Sequence, residues 1–155
     1  MITTIDKIMT KNLITVQIGA TLDEANQLML AKRIRHLPIT DKVGYIIGIL
    51  SQRDLQYVPN SKHILVEMMM SSPVHFLSEK TSVKKAIFNM LEKKISCILI
   101  GDEVNQASGI ITTDDLLWFA AHLLNNESEE GFTLLSAKMK QTIGEIAREL
   151  SNAGI

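Results

Sequence analysis

The strongest constraint on this chain of 155 residues is that most of it is written twice. "GILSQRDL" at 48–55 returns as "GIITTDDL" at 109–116, a displacement of 61 residues. Sliding the sequence along itself by 61 places sets Met9 against Met70, Ala25 against Ala86, and Met29-Leu30 against Met90-Leu91. Ile34 then meets Ile95, Asp41 meets Asp102, Gly48-Ile49 meets Gly109-Ile110, and Asp54-Leu55 meets Asp115-Leu116. No gap is needed from about residue 5 to about residue 57, so the chain holds two copies of one supersecondary unit. Two copies are too few for a solenoid, and they are expected to pack on each other.

Each copy reads in the same order. Thr21 followed by Glu24 is a capping box, and Leu22, Ala25, Leu28 and Met29 form an apolar stripe at helical spacing. In the second copy Ser82 takes the cap position, and Val83, Ala86, Ile87, Met90 and Leu91 form the stripe. "HLPIT" or "CILIG" follows as a short strand, then a turn, then a second strand in "YIIGIL" or "SGII". These strands are continuously apolar, as strands covered on both faces are. A short helix starting near Ser51 or Thr112 closes each unit, and an extended piece, "LITV" or "VHFL", opens it. The expected fold is α+β, two β-α-β-β-α repeats at 1–60 and 61–122, with "VPNSKH" (58–63) as the linker. The remainder, 123–155, reads as a polar loop and an amphipathic helix. Leu135, Met139, Ile143, Ile146 and Leu150 make its stripe, for covering its own domain or for a dimer contact.

Composition excludes several classes of function. The chain is 46% hydrophobic and 21% charged, which favours a packed core over disorder. Its net charge of -1 lacks the basic excess that non-specific nucleic-acid binding needs. No apolar run approaches the roughly 20 residues of a membrane span. With no signal-peptide pattern at the N-terminus, a cytoplasmic protein is expected. The single cysteine, Cys97, lies in an apolar run and reads as a structural thiol. His36, His63, His75 and His122 show no ligand spacing, so no metal site is expected. The pair Trp118-Phe119 reads as packing.

The repeated Ser51-x-x-Asp54 and Thr112-x-x-Asp115 admit two readings. A hydroxyl at an N-cap with an acid three residues on is a helix cap. Yet the reciprocal arm of such a box prefers the longer Glu, and Asp54 and Asp115 are expected to reach back less well. Gly48 and Gly109 also interrupt strands, where glycine is costly unless a backbone or ligand comes close. A carboxylate at a helix start suits a vicinal diol such as ribose, at roughly 1.5–3 kcal/mol for each charged hydrogen bond.

The duplicated β-α-β-β-α unit, the strand "RHLPIT", and the Gly-apolar-apolar-Ser/Thr-x-x-Asp motif resemble a tandem pair of CBS domains, the Bateman module, over about residues 3 to 122. One departure is Leu99, where the first copy has Pro38. The resemblance implies pseudo-two-fold packing with two clefts that bind AMP, ADP, ATP or S-adenosylmethionine, without a resident cofactor or catalysis. It implies one cleft of Ser51 and Asp54 completed by His75, Ile95, Ser96 and Cys97. The other would join Thr112 and Asp115 with Ile14, Ile34, Arg35 and His36. Arg53 beside Asp54 corresponds to Asp114 beside Asp115, so the first cleft is the candidate for a phosphate, unless Arg53 is a solvated surface charge. A homodimer and a separate effector protein are the implied partners. The alternative is a ligand-free interaction or dimerisation module in which the motifs are only caps.

Overall fold

The computed structural model describes residues 3–56, 58–101 and 106–125. Its helices begin where the sequence supplies caps. The Thr21 hydroxyl accepts from the Glu24 N–H at 3.2 Å, and the Glu24 carboxylate accepts from the Thr21 N–H at 2.7 Å, opening α1, Leu22–Lys32. The Thr21 N–H foremost, and the Thr21 hydroxyl donating at 2.9 Å, hold the Glu24 carboxyl below the usual carboxylate range. Ser82 opens α2, Val83–Lys93, with its hydroxyl accepting from Lys85 at 3.3 Å; Lys85 stands where the first copy has Glu24, so the return bond is missing. Both helices end on a left-handed residue, Arg33 or Lys94, each at φ 54°.

Each repeat builds a three-stranded sheet. In the first, β1 (Val16–Gln17) runs parallel to β2 (His36–Thr40), which pairs antiparallel with β3 (Ile46–Ser51). In the second, β4 (Phe76–Leu77), β5 (Cys97–Ile100) and β6 (Gly109–Thr112) repeat that order. The opening strands are two residues long rather than four. After β6 comes α3, Thr113–Asn125, but after β3 the chain makes only a 3-10 turn, Gln52–Leu55. Pro59 explains the difference: it cannot continue a helix and restricts Val58 before it, whereas Ala120 occupies the matching place in α3.

The cores are exchanged between repeats. Ile5, in a 3-10 turn at Ile5–Lys7, is fully buried among Val83, Ala86, Met90, Ile98, Ile100 and Ile111 of the second repeat. Val66, its counterpart in the turn Val66–Met68, is fully buried among Leu22, Ala25, Met29, Leu37, Ile39 and Leu50 of the first. Bridges Thr4 to Ser82 and Thr21 to Leu65, and Thr10 to Ile110 and Ile49 to Ser71, obey the same two-fold relation. A third cluster of Ile46, Leu99 and Ile110 joins the two sheets. Gly109 is required where backbone passes close, and Gly48 makes room for the Met70 side chain. A Cβ on Gly48 would lie 2.2 Å from the Met70 sulfur, and one on Gly109 would lie 2.8 Å from the Thr10 carbonyl oxygen.

Two packing expectations are corrected. Leu91, placed in the α2 stripe, is 49% exposed, and Trp118, read as packing, is 78% exposed while Phe119 packs on the second core. The amphipathic segment expected at 132–150 lies outside the described residues. Among the described residues no helix is long and apolar enough to cross a membrane.

The exchange makes a crossed prediction. Ile5→Ala should cost about 2–5 kcal/mol, as core truncations to alanine do. Hydrogen exchange should then quicken first in β5 and β6, and Val66→Ala should quicken β2 and β3 instead. Loosening confined to the sequence repeat that carries the mutation would contradict the exchanged cores.

Candidate functional site

The two sheets meet at the starts of β2 and β5, and the chain segments after β3 and β6 are anchored there. The Gln52 N–H donates to the Arg35 carbonyl at 2.8 Å, and its counterpart Thr113 N–H donates to the Ser96 carbonyl at 3.0 Å. Across the junction His36 Nε2 and the Ser96 hydroxyl lie 2.7 Å apart.

Beside this junction opens a cavity of about 560 Å³, within the roughly 300–1,000 Å³ of small-ligand sites. Ser51, Arg53 and Asp54 line one side, and His75, Ile95, Ser96 and Cys97 line the other, as the sequence grouping expected. Arg35 and His36, expected beside Thr112 and Asp115, also line this cavity. The reason is geometric: the strand starts lie at the axis and face both sides of it. Ile14 and Ile34 pack against the first repeat's own core. Sequence reasoning passed over Lys94, Gln52, Gln56, Pro73 and Val74, all of which line the cavity, while Ser71 and Ser72, in a run read as core or cleft lining, also line it. Lys94 had a signal, since it stands next to Ile95, which the sequence grouping already placed in this cleft.

The acids are bound differently in the two repeats. Asp54 Oδ2 accepts from the Ser51 N–H and hydroxyl, both at 2.7 Å, and no described residue donates to Oδ1. Asp115 Oδ2 accepts from the Thr112 N–H and hydroxyl, again both at 2.7 Å, and its Oδ1 accepts from the Thr10 hydroxyl at 3.4 Å. The expectation that aspartate reaches back poorly is therefore wrong. The extended cap residue, with φ -105° and ψ 156° at Ser51, turns its N–H onto the following turn, and the shorter side chain suffices. The neighbour of Asp115 is also engaged, because Asp114 accepts from the Arg35 guanidinium.

The cavity wall is cationic. Arg35, Arg53 and Lys94 face one carboxylate, Asp54, among the described lining residues. Burial pushes the His36 pKa down and Arg35 adds to this, against the opposing pull of Asp114 and Asp54. Burial, with help from the Asp54 charge, pushes the Cys97 thiol up to about 12, so it remains protonated and is no nucleophile at neutral pH. Among the described residues no cluster of three or more His, Cys, Asp or Glu could hold a metal ion.

This architecture has known relatives. The CBS domain family matches residues 5–59 and again 65–122, and the chain belongs to that family as a tandem pair. The solved CBS domain pair of protein MJ0100, in complex with 5'-methylthioadenosine and S-adenosyl-L-methionine, is similar with a TM-score of 0.73 and 25% identity. That similarity covers 79% of this chain and 98% of that one. A Vibrio cholerae protein named for acetoin utilization, AcuB, is 30% identical with a TM-score of 0.70, over 83% and 99% of the two chains. Among curated relatives, homoserine O-acetyltransferase of Methanococcoides burtonii is 27% identical over 114 residues, 74% of this chain and 23% of that one. Inosine-5'-monophosphate dehydrogenase of Mycobacterium bovis is 26% identical over 124 residues, 80% and 23% of the two. The chain thus spans less than a quarter of the length of these enzymes.

His36 gives the site a pH signature. Its folded pKa lies below its unfolded value, so the unfolded chain takes up the proton first. Stability is complete above about pH 6.5, the unfolded value, and falls as the pH drops below it toward the folded value. Thermal melts across that interval should therefore show a loss that His36→Gln reduces. An identical pH slope in the variant would remove His36 as its source.

Proposed function

We propose that this chain is a regulatory module that binds a phosphorylated adenosine in the Ser51/Asp54 cleft and acts on a separate effector protein, without catalysis of its own. One observation carries the reading. Among the described residues nothing donates to the second carboxylate oxygen of Asp54, which lies at the wall of an open cavity whose other described lining charges are cationic. In this reading Asp54 Oδ1 accepts from ribose hydroxyls beside Ser51. Ile95, Cys97 and His75 flank the base, and Arg53 takes phosphate as a guanidinium fork. The solved relative holding two adenosyl compounds supports adenosine as the shared moiety. The cationic wall favours AMP, ADP or ATP over the sulfonium of S-adenosylmethionine.

The Thr112/Asp115 side would take at most a less anionic ligand, because Asp114 repels phosphate and Thr10 already holds Asp115. Both repeats line the first cleft, so a ligand there favours one relative arrangement of the repeats over others, and an effector that prefers that arrangement senses it.

Calorimetry with AMP, ADP, ATP and S-adenosylmethionine tests the reading. A phosphorylated ligand should bind, and Asp54→Ala should weaken it about tenfold to hundredfold, the worth of one charged hydrogen bond. In a thermal melt, a ligand at about 100 times its Kd adds about 2.7 kcal/mol. An unchanged melting point with every adenylate would favour the ligand-free interaction module.

Homodimerisation belongs to the same proposal. Leu30 and Leu91 stand at equivalent places on α1 and α2 and are 59% and 49% exposed, a matched apolar pair for a second copy to cover. Sedimentation should find a dimer that Leu91→Glu dissociates. A monomeric wild-type chain would refute this.

A further inference from the structure

We propose that Arg35 is a charge-operated latch between the repeats: it holds Asp114 while the Ser51/Asp54 cleft lacks an anion and turns to a phosphate bound there. The proposal rests on the cleft's reading as an anion site and adds how occupancy is transmitted.

Arg35 belongs to the first repeat and Asp114 to the second, and their ion pair is the one salt bridge among the described residues. Arg35 also lines the cleft, whereas Asp114 does not. The same guanidinium therefore has a carboxylate on one side and an anion-sized cavity on the other. The pair is weakly held, because its side chains are 56% and 51% exposed and water screens such bridges. Its backbone is not weakly held: the Arg35 carbonyl accepts from the Gln52 N–H at 2.8 Å. Exchange of partners is thus a side-chain rotation. The two-fold relation shows why only one cleft is equipped this way. The counterparts of Arg35 and Asp114 are Ser96 and Arg53, which form no ion pair. Arg53 and Lys94 already attract an anion to the wall. When the anion arrives, a phosphate offers the guanidinium a second-charge, bidentate partner that outcompetes an exposed monocarboxylate. Binding then removes the ion pair that crosses the axis, and Asp114 at the start of α3 is left unpaired.

Inorganic triphosphate is the probe, since it carries the charge without adenosine and reads the latch even if the adenosine reading fails. Its affinity is measured at fixed ionic strength for the wild-type chain, Arg35→Gln, Asp114→Asn and the double variant, both positions being exposed. Arg35→Gln should weaken binding about tenfold, and Asp114→Asn should strengthen it about threefold by freeing Arg35. In the Arg35→Gln background Asp114→Asn should change nothing. The same gain in both backgrounds would mean general charge removal and overturn the latch. So would wild-type affinity in either single variant, or no triphosphate binding to any of the four.

Discussion

The fold depends on two side chains that sit in the wrong half. Ile5 precedes the first repeat's helix yet fills the second repeat's core, and Val66 does the reverse. Neither half can bury its apolar helix face and sheet without a residue lent by the other. The segments that deliver them, Met9–Thr10 and Met70–Ser71, cross the glycines of β6 and β3 so closely that a side chain there would clash. Ile46, Leu99 and Ile110 then close the sheets face to face, and the cleft is the space this closure leaves beside the axis. A cavity wall drawn from both repeats is a consequence of that exchange.

The Ser/Thr-x-x-Asp motif looked like a choice between a helix cap and a ligand acceptor. A carboxylate has two oxygens, and the choice is unnecessary. Oδ2 of Asp54 satisfies the N-cap N–H and fixes the side chain's rotamer, which lowers the entropy cost of presenting Oδ1. The cap thus holds the second oxygen in place at the cavity wall. In the other repeat the same cap is present, but Thr10 uses the second oxygen.

Much of this was legible in the sequence because it is local. Caps at Thr21 and Ser82, the strands around Pro38 and Leu99, and the duplicated motif follow from spacing within a dozen residues. What escaped is long-range or depends on the far end of a side chain. The exchange of Ile5 and Val66 joins residues far apart in sequence, and nothing in their local pattern marks the partner. Arg35 and His36 were assigned to the other side by the family resemblance, and the resemblance does not say which of two neighbouring clefts a residue at the start of a strand on the axis meets. Lys94 was not singled out; it ends α2 in the left-handed conformation and lines the cavity. The shortened helix after Ser51 was legible after all: Pro59 forbids the continuation that Ala120 allows.

A duplicated unit begins with two equal clefts, so the inequality must come from substitutions at matched positions. Three pairs account for it here. Thr10 against Ser71 decides whether the acid's second oxygen is occupied, since the threonine hydroxyl reaches Asp115 while Ser71 only lines the cavity beside Asp54. Arg53 against Asp114 sets the sign of charge next to the acid. Arg35 against Ser96 supplies a cation that neutralises Asp114 on one side and leaves Arg53 without a salt-bridge partner among the described residues on the other. All three changes act in one direction: the second side satisfies its polar groups internally, and the first leaves an acceptor and cations exposed to an open volume.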